Sequence, residues 1–486
     1  MGIFANPLTD LLEYEDFSRD FLKGTDPVGM TGCIDSEKVH FMSTFLGEKK
    51  VQLVVTYNEQ RAREIEEDYK LFCSQVYVIP PRDLIFFSAD LQGNAIIAER
   101  MKAFAALYQN EAKVIITTMD ALMSAAVPFE QLMSHVIKLK EGDELDLEKL
   151  KHDLTVMGYE RVGRVEEPGQ FTVHGGIADV YPLTMEVPVR IELWGDEIDT
   201  IRCFEPQSQR SMDQIECVSV FPAAEVIADD TARRRAAGMI QNELESQLAV
   251  FKKAKEPDKA KRLREETNRI LEALGEDVVL EAPDSYISYF YPRTVQLSEY
   301  FDEKNTLVFL DEPMRLKERG DGVQAEFEES MKNRLEQGFL LPGQTALLTP
   351  AKHVLAAFER GQVAALSSLD SRLADFTVVN SYAVNVQNMN TYREGFELLI
   401  KDLTHWKKEK YRIVLLCPSR TRANRIVNQL IEYDLLAYYS EDEDKKINPG
   451  EIMVTYGNLH RGFLYPMLKF AVITESDIFG VKKKKK

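Results

Sequence analysis

The stretch "TGCIDSEKVHF" (31–41), followed by the apolar run "VQLVVTY" (51–57), decides how the start of this chain is interpreted. A phosphate-binding loop of the form G-x-x-x-x-G-K-[S/T] uses its glycines to bring backbone N–H groups to phosphates, its lysine to reach the outer phosphates and its hydroxyl to hold Mg²⁺. Two of these four requirements fail, because a glutamate replaces the second glycine and a valine replaces the hydroxyl residue. We therefore predict a degenerate nucleotide site that is kept as scaffold. Its residues are Gly32, Glu37, Lys38 and Val39.

A pair of acids downstream belongs to the same interpretation. "NTLVFLDEPMR" (305–315) has the composition of a buried strand that ends in Asp311 and Glu312. In a nucleotide hydrolase, such a pair holds Mg²⁺ and positions the attacking water. Alone, acids at a strand end usually form a solvated turn, but together with the 31–41 loop they indicate a second part of one former site. The alternative is a cryptic ATPase that uses Lys38, Asp311 and Glu312.

The organisation of the chain predicts a multidomain α/β protein. Strands alternate with helices at the start, which predicts a parallel sheet covered by helices. Short strands punctuated by Gly and Pro then predict an α+β insertion, and two charged helices divided by Pro257 follow it. A third α/β unit is expected to be self-contained. The predicted divisions are 1–125 and 223–350 for the first α/β domain, 126–222 for the insertion, 351–370 for a helical linker, 371–480 for the small α/β domain and 481–486 for a basic tail.

Composition and charge exclude several classes of protein. The net charge of −19 disfavours unaided binding to nucleic acid, because that affinity comes from Lys and Arg displacing counterions. No apolar run is long enough to span a bilayer and no signal peptide is evident, so we expect a soluble cytoplasmic protein. Five scattered cysteines and seven histidines show no metal-ligand spacing. Arg461 in "LHRGFLYP" (459–466) lacks the neighbouring residues of an arginine finger, so no catalytic role is predicted for it.

The stretch "VPVRIELWGDE" (187–197) predicts a binding surface. Strand alternation places Val189, Ile191 and Leu193 on one face and Arg190, Glu192 and Trp194 on the other. Arg and Trp on an exposed face are typical of interface hot spots. The alternative is a local cation–π pair that only covers the sheet.

These motifs resemble one bacterial family. "GYERVGRVEEPGQFTVHGGIADVYPLTMEVPVRIELWGDEIDTIRCFEPQSQRS" (158–211) resembles the second domain of transcription-repair coupling factors (Mfd), which is similar to the UvrA-binding domain of UvrB. "DSYISYFYPRTVQLSEYFDEKNTLVFLDEP" (284–313) and "LKFAVITESDIFG" (468–480) extend the likeness over essentially the whole chain. The resemblance implies a degenerate P-loop domain of the RecA/helicase type with an inserted UvrB-type domain, corresponding to UvrB-like domains 1A, 2 and 1B. A small domain of unclear role follows them.

The resemblance also implies partners and site residues. Arg190 and Trp194 match the family's UvrA-contacting arginine and aromatic residue, and His174 stands where the family has another arginine. A histidine is only partly charged near neutral pH, so this contact is expected to be weaker. The damage-probing hairpin of UvrB has no counterpart in "PPRDLIFFSADLQGNAIIAER" (80–100). Independent recognition of damaged DNA is therefore not expected.

In the family, ATP, Mg²⁺, DNA and RNA polymerase are bound by later domains that this chain is expected to lack, so it is expected to need no cofactor itself. The leading hypothesis is a monomeric, non-enzymatic module that recruits UvrA in transcription-coupled nucleotide excision repair. The full-length family protein is an ATP-dependent DNA translocase that displaces stalled RNA polymerase. Two alternatives are the cryptic ATPase and a clamp that restrains the absent motor domains.

Overall fold

The computed structural model of the protein describes residues 7–48, 50–82, 92–275, 280, 283–370, 376–393, 395–442 and 445–480. The predicted basic tail at 481–486 and the 83–91 part of the 80–100 stretch lie outside these residues. Within the described part, no helix is both long and apolar enough to cross a membrane.

The first part of the chain alternates strands and helices as predicted. Its first helix ends at Gly24, whose left-handed backbone (φ +67°) is the usual helix stop. Apolar β-branched runs form the strands, and they are buried because helices cover the sheet. The elements are α1 (Leu12–Lys23), β1 (Val28–Thr31), α2 (Asp35–Ser43), β2 (Val51–Thr56), α3 (Glu59–Tyr69), β3 (Val76–Ile79), α4 (Gln92–Tyr108), β4 (Val114–Thr118), α5 (Met119–Met123), β5 (Ala125–Ala126) and α6 (Phe129–Met133).

The predicted insertion forms its own sheets. β8 to β12 make an antiparallel meander, whose order is β12-β11-β10-β9-β8 with β7 added in parallel at the far edge. A separate two-stranded pair joins the start and the end of the insertion. The elements are β6 (Ile137–Lys140), α7 (Leu147–Val156), β7 (Glu160–Arg161), β8 (Gln170–His174), β9 (Ile177–Val180), β10 (Val189–Trp194), β11 (Glu197–Phe204), β12 (Ser211–Gln214) and β13 (Cys217–Val220).

After the insertion the chain returns to the first sheet through a long helical hairpin. The break falls at Pro257, which occupies the first turn of the second helix, as the sequence predicted. The elements are α8 (Asp230–Ala254), α9 (Pro257–Leu274), α10 (Ile287–Phe290), β14 (Val295–Gln296), β15 (Thr306–Asp311), α11 (Pro313–Glu336), α12 (Ala351–Ala356), β16 (Val363–Ser367) and β17 (Asn380–Ala383).

The completed first sheet corrects two predictions about the chain after residue 350. It has seven parallel strands in the order β17-β1-β16-β15-β2-β4-β3. Residues 351–370 are therefore not only a helical linker, because their apolar run 363–367 is a fully buried strand between β1 and β15. β17 also belongs to this sheet, although it lies within the predicted small domain 371–480.

The remaining residues form a second α/β sheet. Its order is β18-β22-β23-β19-β21-β20, and β19, β20, β21 and β23 are parallel. The elements are β18 (Gln387–Asn388), α13 (Phe396–Lys408), β19 (Arg412–Cys417), α14 (Arg420–Glu432), β20 (Ala437–Tyr439), β21 (Ile452–Tyr456), β22 (Phe463–Tyr465), β23 (Phe470–Thr474) and α15 (Glu475–Phe479).

This last unit is not self-contained, contrary to the prediction. One face of its sheet packs against its own helices α13 and α14, whereas the other face shares a hydrophobic core with the first α/β unit. Val414, Met453 and Phe470 lie in one apolar cluster with Val39 and Phe309. Both faces of the parallel sheet are apolar because both are covered, and one of them is covered by the neighbouring unit. The architecture is thus mixed α/β and multidomain, as predicted, with a fused core between two of its units.

Candidate functional site

The 31–41 loop is closed by a neighbouring backbone segment. Gly32 has a left-handed backbone (φ +82°), and a Cβ atom there would lie 2.0 Å from the carbonyl oxygen of Val384. The amide of Val384 donates to the carbonyl of Thr31 (2.9 Å), and the Cys33 amide donates to the carbonyl of Ser367 (3.2 Å). Only glycine fits at position 32, but the space beside it is filled by protein backbone.

Lys38 projects from α2 into a buried ionic cluster. Its Nζ lies 2.7 Å from Asp311 Oδ1 and 2.6 Å from Glu312 Oε1, with 4% of its side chain exposed. Asp311 Oδ2 also accepts from Thr56 Oγ1 (2.8 Å) and contacts Arg61 Nε (3.4 Å). Although burial alone would raise it, the pKa of Asp311 is lowered to about 2 by Lys38, Arg61 and these hydrogen bonds. We call Lys38, Arg61, Asp311 and Glu312 the Lys38 cluster.

These residues lie together, as the sequence predicted, but their charges pair with one another inside the protein. Glu312 has a left-handed backbone (φ +55°), and its carboxylate also accepts from the Ser368 amide (2.9 Å). Lys38 is neutralised by the two acids that would hold Mg²⁺ and water. The adjoining cavity has a volume of about 190 Å³, which is below the roughly 300 to 1,000 Å³ of ordinary ligand pockets.

Glu37 stands at the position of the motif's second glycine, and its carboxylate is hydrogen-bonded within the protein. It is fully buried and accepts from the Ile34 amide (3.1 Å) and from the Tyr465 hydroxyl (2.7 Å). Burial raises the pKa of Glu37 to about 7, against the opposing effect of these hydrogen bonds. Glu37 therefore caps α2 and links it to the last α/β unit.

The loop that contains Arg461 is a further docking element. Its backbone amides at His460 and Arg461 donate to Asp68 Oδ1 (2.5 Å) and Ser36 Oγ (2.9 Å), and the Arg461 guanidinium lies 3.3 Å from Asp35. These contacts give Arg461 a structural role beside α2.

The six-stranded sheet of the insertion presents a different kind of site. Val189 and Ile191 are buried in the core of this sheet. Arg190 and Glu192 lie on the opposite face, as alternation predicted. Cross-strand pairing aligns these side chains in two rows. We call these two rows, together with Trp194 at the end of β10, the hairpin face. The first row is Thr172, Asp179, Arg190 and Arg202, and the second is His174, Ile177, Glu192 and Thr200.

Arg190 is held in place within this face. Its Nε and one terminal nitrogen donate to the two carboxylate oxygens of Asp179 (2.8 and 2.7 Å). Its guanidinium lies 4.8 Å from the ring centroid of Phe204, so a local cation–π contact does form at Arg190, with Phe204 as the aromatic partner. A β-bulge after Glu192 displaces the strand end, and Trp194 is 84% exposed beside the turn at Gly195-Asp196.

His174 is exposed at the neighbouring hairpin tip, where its Nε2 lies 2.9 Å from Thr172 Oγ1. The structure adds two charged residues that sequence reasoning did not identify. Asp179 orients Arg190, and the Nε atom of Arg202 is buried without a hydrogen-bond partner among the described residues. The alternation of apolar and polar residues in "IDTIRCF" (198–204) could have indicated that Arg202 lies on this face. The pairing of Asp179 with Arg190, by contrast, depends on strand register, which the sequence alone does not specify.

Comparison with known proteins agrees with these observations. The UvrB interaction domain model matches residues 137–225, and the MFD, D3 domain model matches residues 405–478. The transcription-repair-coupling factor of Bacillus subtilis is 28% identical over 488 residues, which cover 99% of this chain and 41% of the relative. That of Staphylococcus haemolyticus is 28% identical over 485 residues, covering 96% of this chain and 39% of the relative. The chain thus spans well under half the length of the relatives that it matches.

Two domain models and a similarity over nearly the whole chain confirm the resemblance seen in the sequence. The inserted sheet carries the hairpin face, and the unit with the fused core includes the D3 match. The chain is a homologue of the transcription-repair-coupling factors, and it contains their UvrB interaction domain and their D3 domain.

Proposed function

We propose that the chain recruits UvrA through the hairpin face, as a recruiting module of transcription-coupled nucleotide excision repair without an ATPase of its own. The observation that carries this proposal is the exposure of Trp194 beside the tip that bears His174 in the UvrB interaction domain. A large aromatic side chain left 84% in water has no packing role in the isolated chain. At an interface, the same side chain is the commonest kind of hot spot.

The electrostatics of the face support the proposal. Asp179 uses two of the five N–H donors of Arg190 and fixes the plane of the guanidinium. The remaining donors are thereby oriented before a partner arrives, which lowers the entropy cost of binding. Arg202 adds a second cation in the same row.

The direct test is binding of purified UvrA to the chain and to Trp194→Ala by biolayer interferometry. Removal of a hot-spot tryptophan should weaken binding by about 2 kcal/mol, which is roughly 30-fold. Phe479→Ala, which removes another exposed aromatic side chain on the last α/β unit, is the matched control and should bind normally. Unchanged binding by Trp194→Ala together with Arg190→Ala would reject the face.

The Lys38 cluster supports the second part of the proposal, the absence of ATP hydrolysis. A phosphate would have to displace two carboxylates from Lys38 and the carbonyl of Val384 from the loop. Isothermal titration of the chain with Mg-ATP should show no heat of binding. A micromolar dissociation constant that is lost in Lys38→Ala would favour the cryptic ATPase instead.

By extension from the relatives, we infer that UvrA recruitment takes place where RNA polymerase has stalled. The resemblance implies that ATP-driven translocation on DNA and contact with the polymerase belong to parts of the relatives that lie outside the similarity.

A further inference from the structure

A basic surface lies at the tip of the helical hairpin formed by α8 and α9, on an otherwise acidic protein. Residues 252–264 contain seven basic and two acidic residues, whereas the whole chain carries a net charge of −19. Five of these cations, Lys252, Lys253, Lys255, Lys261 and Arg264, are exposed. Because salt screens charges beyond about 8 Å, a partner at this tip experiences the local positive charge rather than that of the whole molecule.

Few of these cations are neutralised by the protein itself. Lys259 pairs with Glu256 (2.8 Å) and Lys261 lies 3.8 Å from Glu265. Arg262 packs over the ring of Phe339. Within the part of the chain that the structure describes, the other four cations of the tip have no ion pair. Their charge is therefore available to a partner.

The tip is also concave and partly apolar. A groove of about 550 Å³ runs between the two helices. Apolar and basic side chains line it, together with Glu256, whose carboxylate pairs with Lys259. We call the apolar lining residues the floor and the basic ones the rim. The floor is Leu248, Ala249, Pro257 and Ala260, and the rim is Lys252, Lys255, Lys261 and Arg264. Val250, next to the groove in sequence, is 54% exposed.

We propose that this basic groove binds an acidic peptide segment of a partner protein, with one apolar side chain on the floor and flanking carboxylates on the rim. The cations supply attraction and orientation, and the floor supplies the apolar burial that charged contacts alone lack. A nucleic acid backbone fits less well, because it has no apolar group for the floor. A long polyanion would also extend beyond the tip over the acidic remainder of the chain.

The test is selection from a displayed library of random 12-residue peptides on the whole chain, in parallel with the variant Lys252→Glu/Arg264→Glu. The matched control is Lys401→Glu/Lys408→Glu, which reverses two exposed cations on α13. We expect the unmodified chain and the control to enrich peptides that combine Asp or Glu with Leu, Ile or Phe. The groove variant should lose this enrichment.

The strongest enriched peptide is then measured by fluorescence anisotropy, beside a 20-base-pair DNA duplex. The groove variant should weaken peptide binding at least tenfold, and raising the salt concentration should weaken it in the unmodified chain. Equal enrichment with the groove variant would overturn the proposal. So would binding of the duplex more tightly than the peptide through Lys252 and Arg264. Circular dichroism checks that each variant is folded. We expect the groove variant and the control to bind UvrA as the unmodified chain does.

Discussion

The Lys38 cluster and the hairpin face contain similar side chains but use them in opposite ways. In the cluster, Lys38 is buried and its charge is divided between Asp311 and Glu312. On the face, Arg190 is also paired with an acid, but the pair is partly exposed and keeps donors for a partner. A charge that is fully paired and buried serves the fold, whereas one that is oriented and left exposed can serve binding.

Removal of the buried lysine charge from the Lys38 cluster is expected to have the largest effect on stability. Lys38→Met leaves the Asp311 and Glu312 carboxylates without their main counter-charge, although Arg61 remains near Asp311. Removal of one partner from a buried ion pair costs about 3 to 5 kcal/mol. Urea unfolding should therefore show a loss of that size, while the exposed control Lys401→Met should change stability by less than about 0.5 kcal/mol. A loss below about 1 kcal/mol for Lys38→Met would show that the buried ion pairs of the cluster do not stabilise the fold.

The buried Glu37 carboxyl group makes the stability of the fold depend on pH. Its folded pKa of about 7 lies above its ordinary value of 4.5, so between these values the folded state holds more protons than the unfolded state. Stability contributed by Glu37 is therefore present below about pH 4.5 and declines as pH rises to about 7. Glu37→Gln keeps an acceptor for Ile34 and Tyr465 but does not ionise.

We expect the free energy of unfolding of Glu37→Gln, relative to the unmodified chain, to increase by about 2 kcal/mol between pH 5 and pH 8. Urea titrations at both pH values measure this difference. Asp68, whose pKa is raised to about 6 by burial, titrates in both proteins and cancels in the comparison. A difference that stays constant with pH would mean that Glu37 is already ionised in the folded chain.

The sequence predicted elements and local motifs better than it predicted how units pack. Strand runs such as 51–56 and 306–311, the stop at Gly24 and the break at Pro257 depend on local chemistry and were found correctly. The apolar strand 363–367 was assigned to a helical connection, because a five-residue apolar run lacks a period that separates the two. The fused core was missed because a strand covered on both sides does not reveal which unit covers it.

The same limit applies to the candidate sites. Gly32, Lys38, Asp311 and Glu312 are predicted as one group because the loop keeps part of the phosphate-binding motif and the two acids end a buried strand. The direction of the Glu37 side chain and the pairing of Arg190 with Asp179 depend on contacts between residues distant in sequence or across strands. Such contacts follow from register and docking, which a single sequence does not specify.

A smaller effect is expected from loosening Arg190 on the hairpin face. Asp179→Asn removes the charge that orients the guanidinium but leaves the cation and the strand in place. The lost pre-organisation should weaken UvrA binding by about 1 kcal/mol, roughly fivefold. Asp213→Asn, an exposed acid on β12, is the matched control. If Asp179→Asn instead binds UvrA more tightly, the carboxylate competes with the partner for Arg190 rather than positioning it.

The smallest effect should come from strengthening the same face at its rim. His174→Arg provides a permanently charged, forked donor at the exposed hairpin tip, where the histidine now contacts Thr172. Exposed charge contacts contribute up to about 1 kcal/mol, so we expect UvrA affinity to rise by less than about fivefold at pH 7.5. His152→Arg, on α7 outside the hairpin face, is the control and should give no gain. Unchanged or lower UvrA affinity of His174→Arg would show that this tip does not contact the partner.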